Sequence, residues 1–311
     1  MEYKGYKLHF PIGIHIGDGS LEDSEKTFCA DTLFSALCIE ANKKSEDALE
    51  KLVELVRTDK LLFSDALPYI GNRLYLPKPF ISIAVDNQGD SSEKKAFKKL
   101  EYVPLECLMQ YLNGEMNAKS EEDFFKRHFG HTVSKVSACV EENEETVPYR
   151  IGLFQFRENA GLYIIIGYEK ECDIMFVEEL LEGLSFEGIG GKRSSGYGRF
   201  ELRPMHIEGD LLHRLQHAGQ NRNHMSLSVC LPANEELETA MQDANYILKK
   251  RSGFVVSDTY ADTNLRKRDL FVFQAGSCFR NLFVGNIYDV SVQGRHPVYR
   301  YAKPMFMGVD I

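Results

Sequence analysis

Apolar positions recur along this chain in two rhythms. Leu162-Tyr-Ile-Ile-Ile-Gly167 is a short unbroken apolar run and reads as a buried strand. From Cys172 to Gly183 the spacing changes to three and four: Ile174, Val177, Leu180, Leu181 and Leu184 make one stripe, with Glu178 and Glu179 turned away. That spacing predicts a helix, with Gly183 near its C-terminus. Tyr197-Gly-Arg-Phe-Glu-Leu-Arg203 alternates up to Pro204 and predicts another strand. The order is strand, helix, glycine-rich loop, strand.

Nearer the start, Lys7 to Ile16 alternates with Leu8, Phe10, Ile12, Ile14 and Ile16 on one face, a first strand with a bulge or edge position at Pro11. Gly17 to Ser20 closes it as a turn. Asp31 stands where an N-cap belongs, ahead of the stripe Leu33, Phe34, Leu37, Cys38 and Ala41. Ser45-Glu-Asp opens a second helix with Leu49, Leu52, Val53 and Val56 inward, its acid suited to the helix dipole. Leu61–Phe63 and Leu74–Leu76 are short strands. Residues 84–148 break the rhythm with the polar run from Asp86, lysines at 94–99 and acid at 141–145, and read as an insertion. After Pro204, strands are expected at Ser226–Leu231, Phe254–Val256, Leu270–Phe273, Tyr288–Val292 and Val298–Tyr301, with one short helix at Glu235–Met241. The chain thus divides into 1–205 and 206–311.

The loop Gly188–Phe200 carries the chemistry. It holds five glycines with Lys192, Arg193 and Arg199. Glycine permits positive φ and close approach of an anion to backbone amides, and Ser194 and Ser195 add hydroxyl donors. The spacing excludes the familiar nucleotide loops. A P-loop would need glycine at Phe186 and Ser or Thr at Arg193, and a dinucleotide fingerprint starting at Gly188 would need glycine at Arg193.

This loop, Gly188–Phe200, resembles the glycine-rich loop of the RAMP proteins, the repeat-associated RNA-binding subunits of CRISPR systems. Thr27–Leu37, Ser64–Tyr69, Tyr75–Pro79 and His296–Tyr301 are similar to a Csm subunit of type III-A effectors, in the Cas-five-like group. The resemblance implies an α+β protein of two ferredoxin-like (RRM-like) domains. The first carries the insertion, and its glycine loop lies between its last helix and last strand; the second is degenerate. It also implies a subunit that grips the 5′ handle of the crRNA and contacts the large polymerase-like subunit and the adjacent backbone RAMP subunit. The sister subunit of type III-B complexes shares this architecture. In the family the insertion forms a thumb, for which Phe124, Phe125 and Phe129 are candidates, core packing being the alternative.

Composition changes this picture little. With 311 residues and 43% hydrophobic side chains the chain can bury real cores, and it has no apolar stretch long enough to span a membrane. No signal peptide opens it. Seven cysteines without a C-x-x-C pair read as reduced thiols of a cytoplasmic protein, with no metal site and no cofactor.

The net charge of −9 is unevenly spread. Base collects at Lys192–Arg203, Lys249–Arg251, Arg266–Arg268 and Arg295–Lys303, so a basic groove on an acidic body is expected. For the triplets Lys249–Arg251 and Arg266–Arg268 a solvated face is equally open. The candidate RNA-binding residues are Gly188, Gly190, Gly191, Lys192, Arg193, Ser194, Ser195, Gly196, Tyr197 and Arg199. Tyr197 would stack on a base. His15 and Gly17 at the end of the first strand, and Arg295, His296 and Arg300 near the C-terminus, join them. His15 is either a groove residue or a sheet histidine bonded to a neighbouring loop. The rival function is a metal-independent endoribonuclease with His9 or His15 as general acid or base and Lys192 on the phosphorane. A protein-only scaffold leaves the cationic loop unexplained.

Overall fold

A computed structural model describes residues 1–17, 19–83, 91–139, 147–257, 259–263 and 265–310, and for 91–94, 139 and 147 the backbone alone. Most of the polar run from Asp86 and all of the acidic run 141–145 lie outside the described residues, as does Asp18 of the first turn. Strand β1 (Glu2–His9) begins earlier than the alternation suggests and ends at His9. The expected run to Ile16 fails because Pro11 offers no amide and Gly13 takes φ +94°; beyond them only Ile14 and Ile16 make isolated bridges, to Phe154 and Glu25. Helix α1 (Ala30–Lys44) is followed by α2 (Glu46–Arg57), which begins where expected and whose N-cap Ser45 accepts the Ala48 amide. Then come β2 (Leu61–Phe63), β3 (Leu67–Ile70) and β4 (Arg73–Pro77). β3 escaped the sequence reading, because Leu67-Pro-Tyr-Ile70 is buried throughout and does not alternate.

Helix α3 (Ser91–Lys99) leads to β5 (Tyr102–Pro104), α4 (Leu108–Leu112) and α5 (Ala118–His128). These are built into the body: β5 pairs with β4, and Ala96, Phe97, Leu108 and Tyr111 enter a core beneath the sheet. Phe125 lies 4.6 Å from Phe129 and 5.6 Å from Tyr102, so these rings pack in the core. Strands β6 (Gly130–Cys139) and β7 (Val147–Phe156) form a separate long hairpin.

Strand β8 (Ala160–Tyr168) is buried along its whole length. It centres a seven-stranded antiparallel sheet ordered β5-β4-β3-β8-β1-β9, with β2 also paired to β8. β9 (Glu201–Met205) starts later than expected and runs through Pro204, which an edge strand tolerates because one of its sides needs no ladder bond. Helix α6 (Glu171–Glu187) precedes it. α6 does not stop near Gly183: a Cβ there would stand 3.1 Å from Glu40 Oε2 of α1, so this glycine serves the packing of two helices, and Gly188 with φ +85° is the cap.

The alternation of β8 explains its burial. Leu162, Ile164 and Ile166 face α1, α2 and α6, whereas Tyr163 and Ile165 face the second half of the chain. That half supplies α7 (Gly209–Gln216), α8 (Leu237–Ala240) and three small sheets. One joins β10 (His224–Ser226), β13 (Cys278–Phe279) and β16 (Phe306–Gly308); another pairs β11 (Leu248–Arg251) with β12 (Leu270–Phe273); the third pairs β14 (Asn286–Asp289) with β15 (Tyr299–Ala302). Phe254–Val256 contributes only an isolated bridge to Arg266. Met225, Cys278, Met305 and Met307 close the core under Tyr163 and Ile165. Among the described residues no helix is long and apolar enough to cross a membrane.

Candidate nucleic-acid interface

The glycine loop is seated on the chain's own backbone. Gly191 N–H donates to His15 O at 2.8 Å, Gly198 N–H to Gly13 O at 3.0 Å, and Ile189 N–H to Gly198 O at 3.0 Å. A Cβ on Gly190 would lie 2.5 Å from His15 O, and one on Gly188 2.9 Å from Tyr197 O. The glycines at 188, 190, 191 and 198 are therefore required by close packing of the loop onto residues 13–16 and onto itself. A ligand does not have to be invoked for them.

The tip is different. Lys192 takes a left-handed backbone (φ +58°) and Arg193–Ser195 turn back as a short 3₁₀ segment. The amides of Gly190, Lys192, Arg193 and Ser194 bond to no group among the described residues. Consecutive free N–H groups around such a left-to-right turn make a concavity that attracts anions. Ser194, Ser195 and Arg199 are exposed, and Arg193 and Gly196 are partly so.

Three predicted residues have other occupations. Tyr197 is 5% exposed, packs with Ile151 and Leu153 of β7, and accepts Lys135 Nζ at 3.0 Å, so its ring offers no stacking face. Lys192 Nζ lies 4.8 Å over the Tyr149 ring and donates to its hydroxyl at 3.3 Å. His15 is buried with Nδ1 2.6 Å from Gly152 O of strand β7, not of a loop, and since its own carbonyl accepts Gly191 N–H it ties β7 to the glycine loop. Gly17 is exposed beside it. The C-terminal trio separates: Arg295 pairs with Asp262 at 2.6 Å and His296 Nε2 lies 2.9 Å from Ser257 Oγ, whereas Arg300 is buried elsewhere.

Arg300 instead lines a cleft of about 190 Å³ between α1, the glycine loop and the second half. Its charged residues are Arg193, Arg251, Lys267 and Arg300 against one carboxylate, Asp31. Arg251 donates to both oxygens of Asp31, at 2.8 and 2.9 Å, and Arg300 Nη1 to Oδ2 at 2.7 Å. Asp31 thus lies inside the first turn of α1 and does not cap it. Burial alone would raise its carboxyl, but the Arg251 charge and hydrogen bonds and the Arg300 charge outweigh this and hold it below the usual range. The capping work falls to Asp65, whose Oδ1 accepts Ala30 N–H at 2.8 Å and Val229 N–H at 2.9 Å.

Each basic triplet sends one cation to the cleft, and the others have partners elsewhere. Lys249 pairs with Glu25 and Lys250 with Asp269, while Arg266 stands over Phe254 and Arg268 bonds Asp289 O. Strand alternation puts Lys249 and Arg251 on one face of β11, a signal the sequence carried.

The chain is similar to known proteins along nearly its whole length. A family model described as the CRISPR Csm4 C-terminal domain matches residues 219–309. The CRISPR system Cms protein Csm4 of Mycobacterium tuberculosis (strain CDC 1551 / Oshkosh) is 40% identical over 296 residues, 95% of this chain and 94% of that protein. The protein of the same name from Streptococcus thermophilus is 35% identical over 100% of both chains. Two solved structures share the fold: a chain of a Csm3-Csm4 subcomplex in the type III-A CRISPR-Cas interference complex (TM-score 0.67, 21% identity, 98% of each chain) and one of a Csm1-Csm4 cassette in complex with pppApA (TM-score 0.61, 19% identity, 99% of this chain and 98% of that one).

Proposed function

The chain belongs to the Csm4 family, and on that premise we propose a structural subunit of a type III-A CRISPR interference complex that binds the 5′ handle of the crRNA. It joins the large polymerase-like subunit to the RAMP backbone in antiviral defence. Support for these partners comes from the similar structures, a Csm3-Csm4 subcomplex and a Csm1-Csm4 cassette. We read the first half as ferredoxin-like, on the strand order β9-β1-β8-β3 with α1 after the first of these strands in sequence and α6 after β8. Residues 206–311 are read as its degenerate second domain, with residues 84–148 inserted in the first.

One observation carries the RNA reading: free amides at the loop tip adjoin a cleft with four cations and one carboxylate. An RRM stacks bases on its open sheet face, but here Tyr163 and Ile165 on that face are covered by the second half. The strand is therefore held through its sugar–phosphate backbone, at the loop. No catalysis is assigned. His15 is buried with Nδ1 held by Gly152 O, which counts against it as the exposed general acid or base of a nuclease.

The test is binding of a labelled crRNA 5′ handle at several salt concentrations. Arg193→Ala with Arg199→Ala is expected to reduce the slope of log K against log salt by about 1.4, two single-strand phosphate contacts. An unchanged slope refutes contact between the loop tip and phosphate.

A further inference from the structure

The cations at the cleft floor are poorly satisfied by the protein itself. Arg300 is 5% exposed, yet its Nε has no partner among the described residues. The Lys267 ammonium forms no ion pair or hydrogen bond among them; burial first, then the Arg300 charge, draws its pKa below the ordinary lysine value. Arg193 reaches the same cleft from the glycine loop. Asp31 is already shared by Arg251 and Arg300, so it cannot compensate the remaining charge. An anion in the cleft would give the buried Arg300 Nε and the partly exposed Lys267 ammonium the partner each lacks.

We infer that the cleft floor is a single-phosphate site, adjoining the loop tip, that takes one phosphate group of the bound RNA strand between Arg300 and Lys267, with Arg193 reaching in from the tip. The inference rests on the RNA-binding reading for the identity of the strand, and on the chain's own charges for the anion. At about 190 Å³ the cleft lies below the 300–1,000 Å³ usual for small-molecule sites, which suits a phosphate rather than a whole nucleotide. Guanidinium and ammonium donors in a desolvated site favour phosphate through charge-assisted hydrogen bonds. Asp31 is a positioning residue: it fixes the two arginines, which come from β11 and β15, across the N-terminal turn of α1. Occupancy therefore braces the junction between the two halves of the chain.

Two measurements on the 311-residue chain test this. In thermal unfolding, inorganic phosphate raises Tm above that in sodium chloride of matched ionic strength, because it binds the folded state alone. Lys267→Met, at a partly exposed position that tolerates the change, removes that difference, and so does Arg300→Met if it folds. In binding to the labelled 5′ handle, Lys267→Met lowers affinity about fivefold at 0.1 M salt and the slope by about 0.7, and inorganic phosphate competes with the handle on the wild type only. If Lys267→Met leaves affinity and slope unchanged while the Arg193/Arg199 double variant weakens binding, the cleft inference falls and the RNA reading stands. If the wild type does not bind the handle yet shows the phosphate-specific Tm rise, the RNA reading falls and the site belongs to a free phosphate. Equal Tm in phosphate and chloride overturns the site outright.

Discussion

Asp65→Asn tests how the two halves are joined. Asp65 Oδ1 accepts one amide from α1 and one from Val229 in the second half. Burial raises its pKa from 3.8 to about 6, against the two amides, and the nearby Asp31 charge adds to the rise. Since Oδ1 holds both bonds, the proton resides on Oδ2. The folded state thus binds this proton more tightly than the unfolded chain, and its contribution to stability is fully present below pH 3.8 and is lost as pH rises through about 6. The whole effect is about 3 kcal/mol, of which about 1 kcal/mol falls between pH 5 and pH 7. Asparagine keeps the acceptor and abolishes the titration. Urea unfolding of both proteins at pH 5 and pH 7 isolates this from other groups such as His224, whose burial lowers its pKa and acts in the opposite sense. Wild type is expected to gain about 1 kcal/mol more than Asp65→Asn on going from pH 7 to pH 5. Equal pH dependence in the two proteins refutes the assignment.

Two more predictions concern the loop. Gly190→Val is expected to lower the thermal midpoint and RNA binding together, because its Cβ would lie 2.5 Å from His15 O at φ +93°; Ser195→Ala, at an exposed hydroxyl, leaves the midpoint unchanged. Tyr197→Phe removes only the bond from Lys135 and is expected to cost about 1 kcal/mol of stability in urea unfolding with handle affinity within twofold, whereas a large loss of affinity would return Tyr197 to the RNA.

Patterns tied to one element were legible in the sequence. The stripe of α6, the start of α2 at Ser45-Glu-Asp and the apolar run of β8 needed only local spacing. What failed depended on partners distant in the chain. Gly183 looked like a helix end because the approach of Glu40 is invisible locally. Asp31 looked like a cap because Arg251 and Arg300, its partners, lie more than 200 residues away. The glycine loop stood out in the sequence, but its glycines answer to residues 13–16 and to the loop itself, and its free amides are confined to the tip. Tyr197 carried no sign of its burial because the β7 face that covers it is set by the hairpin. Lys267 and Arg251 sat in triplets of ambiguous meaning; alternation could put Lys249 and Arg251 on one face, but only the fold sends Lys249 to Glu25 and Arg251 and Lys267 to the cleft.

The double coverage of the central strand also limits how the chain can be dissected. A cut after residue 205 would unroof Tyr163 and Ile165, sever both Tyr301 hydroxyl contacts with Phe63 and strand Asp65 without Val229. The C-terminal piece would expose Met225, Met305 and Met307 in turn. The C-terminal segment that matches a family model over residues 219–309 is here half of a shared core, so each half leaves apolar surface bare without the other.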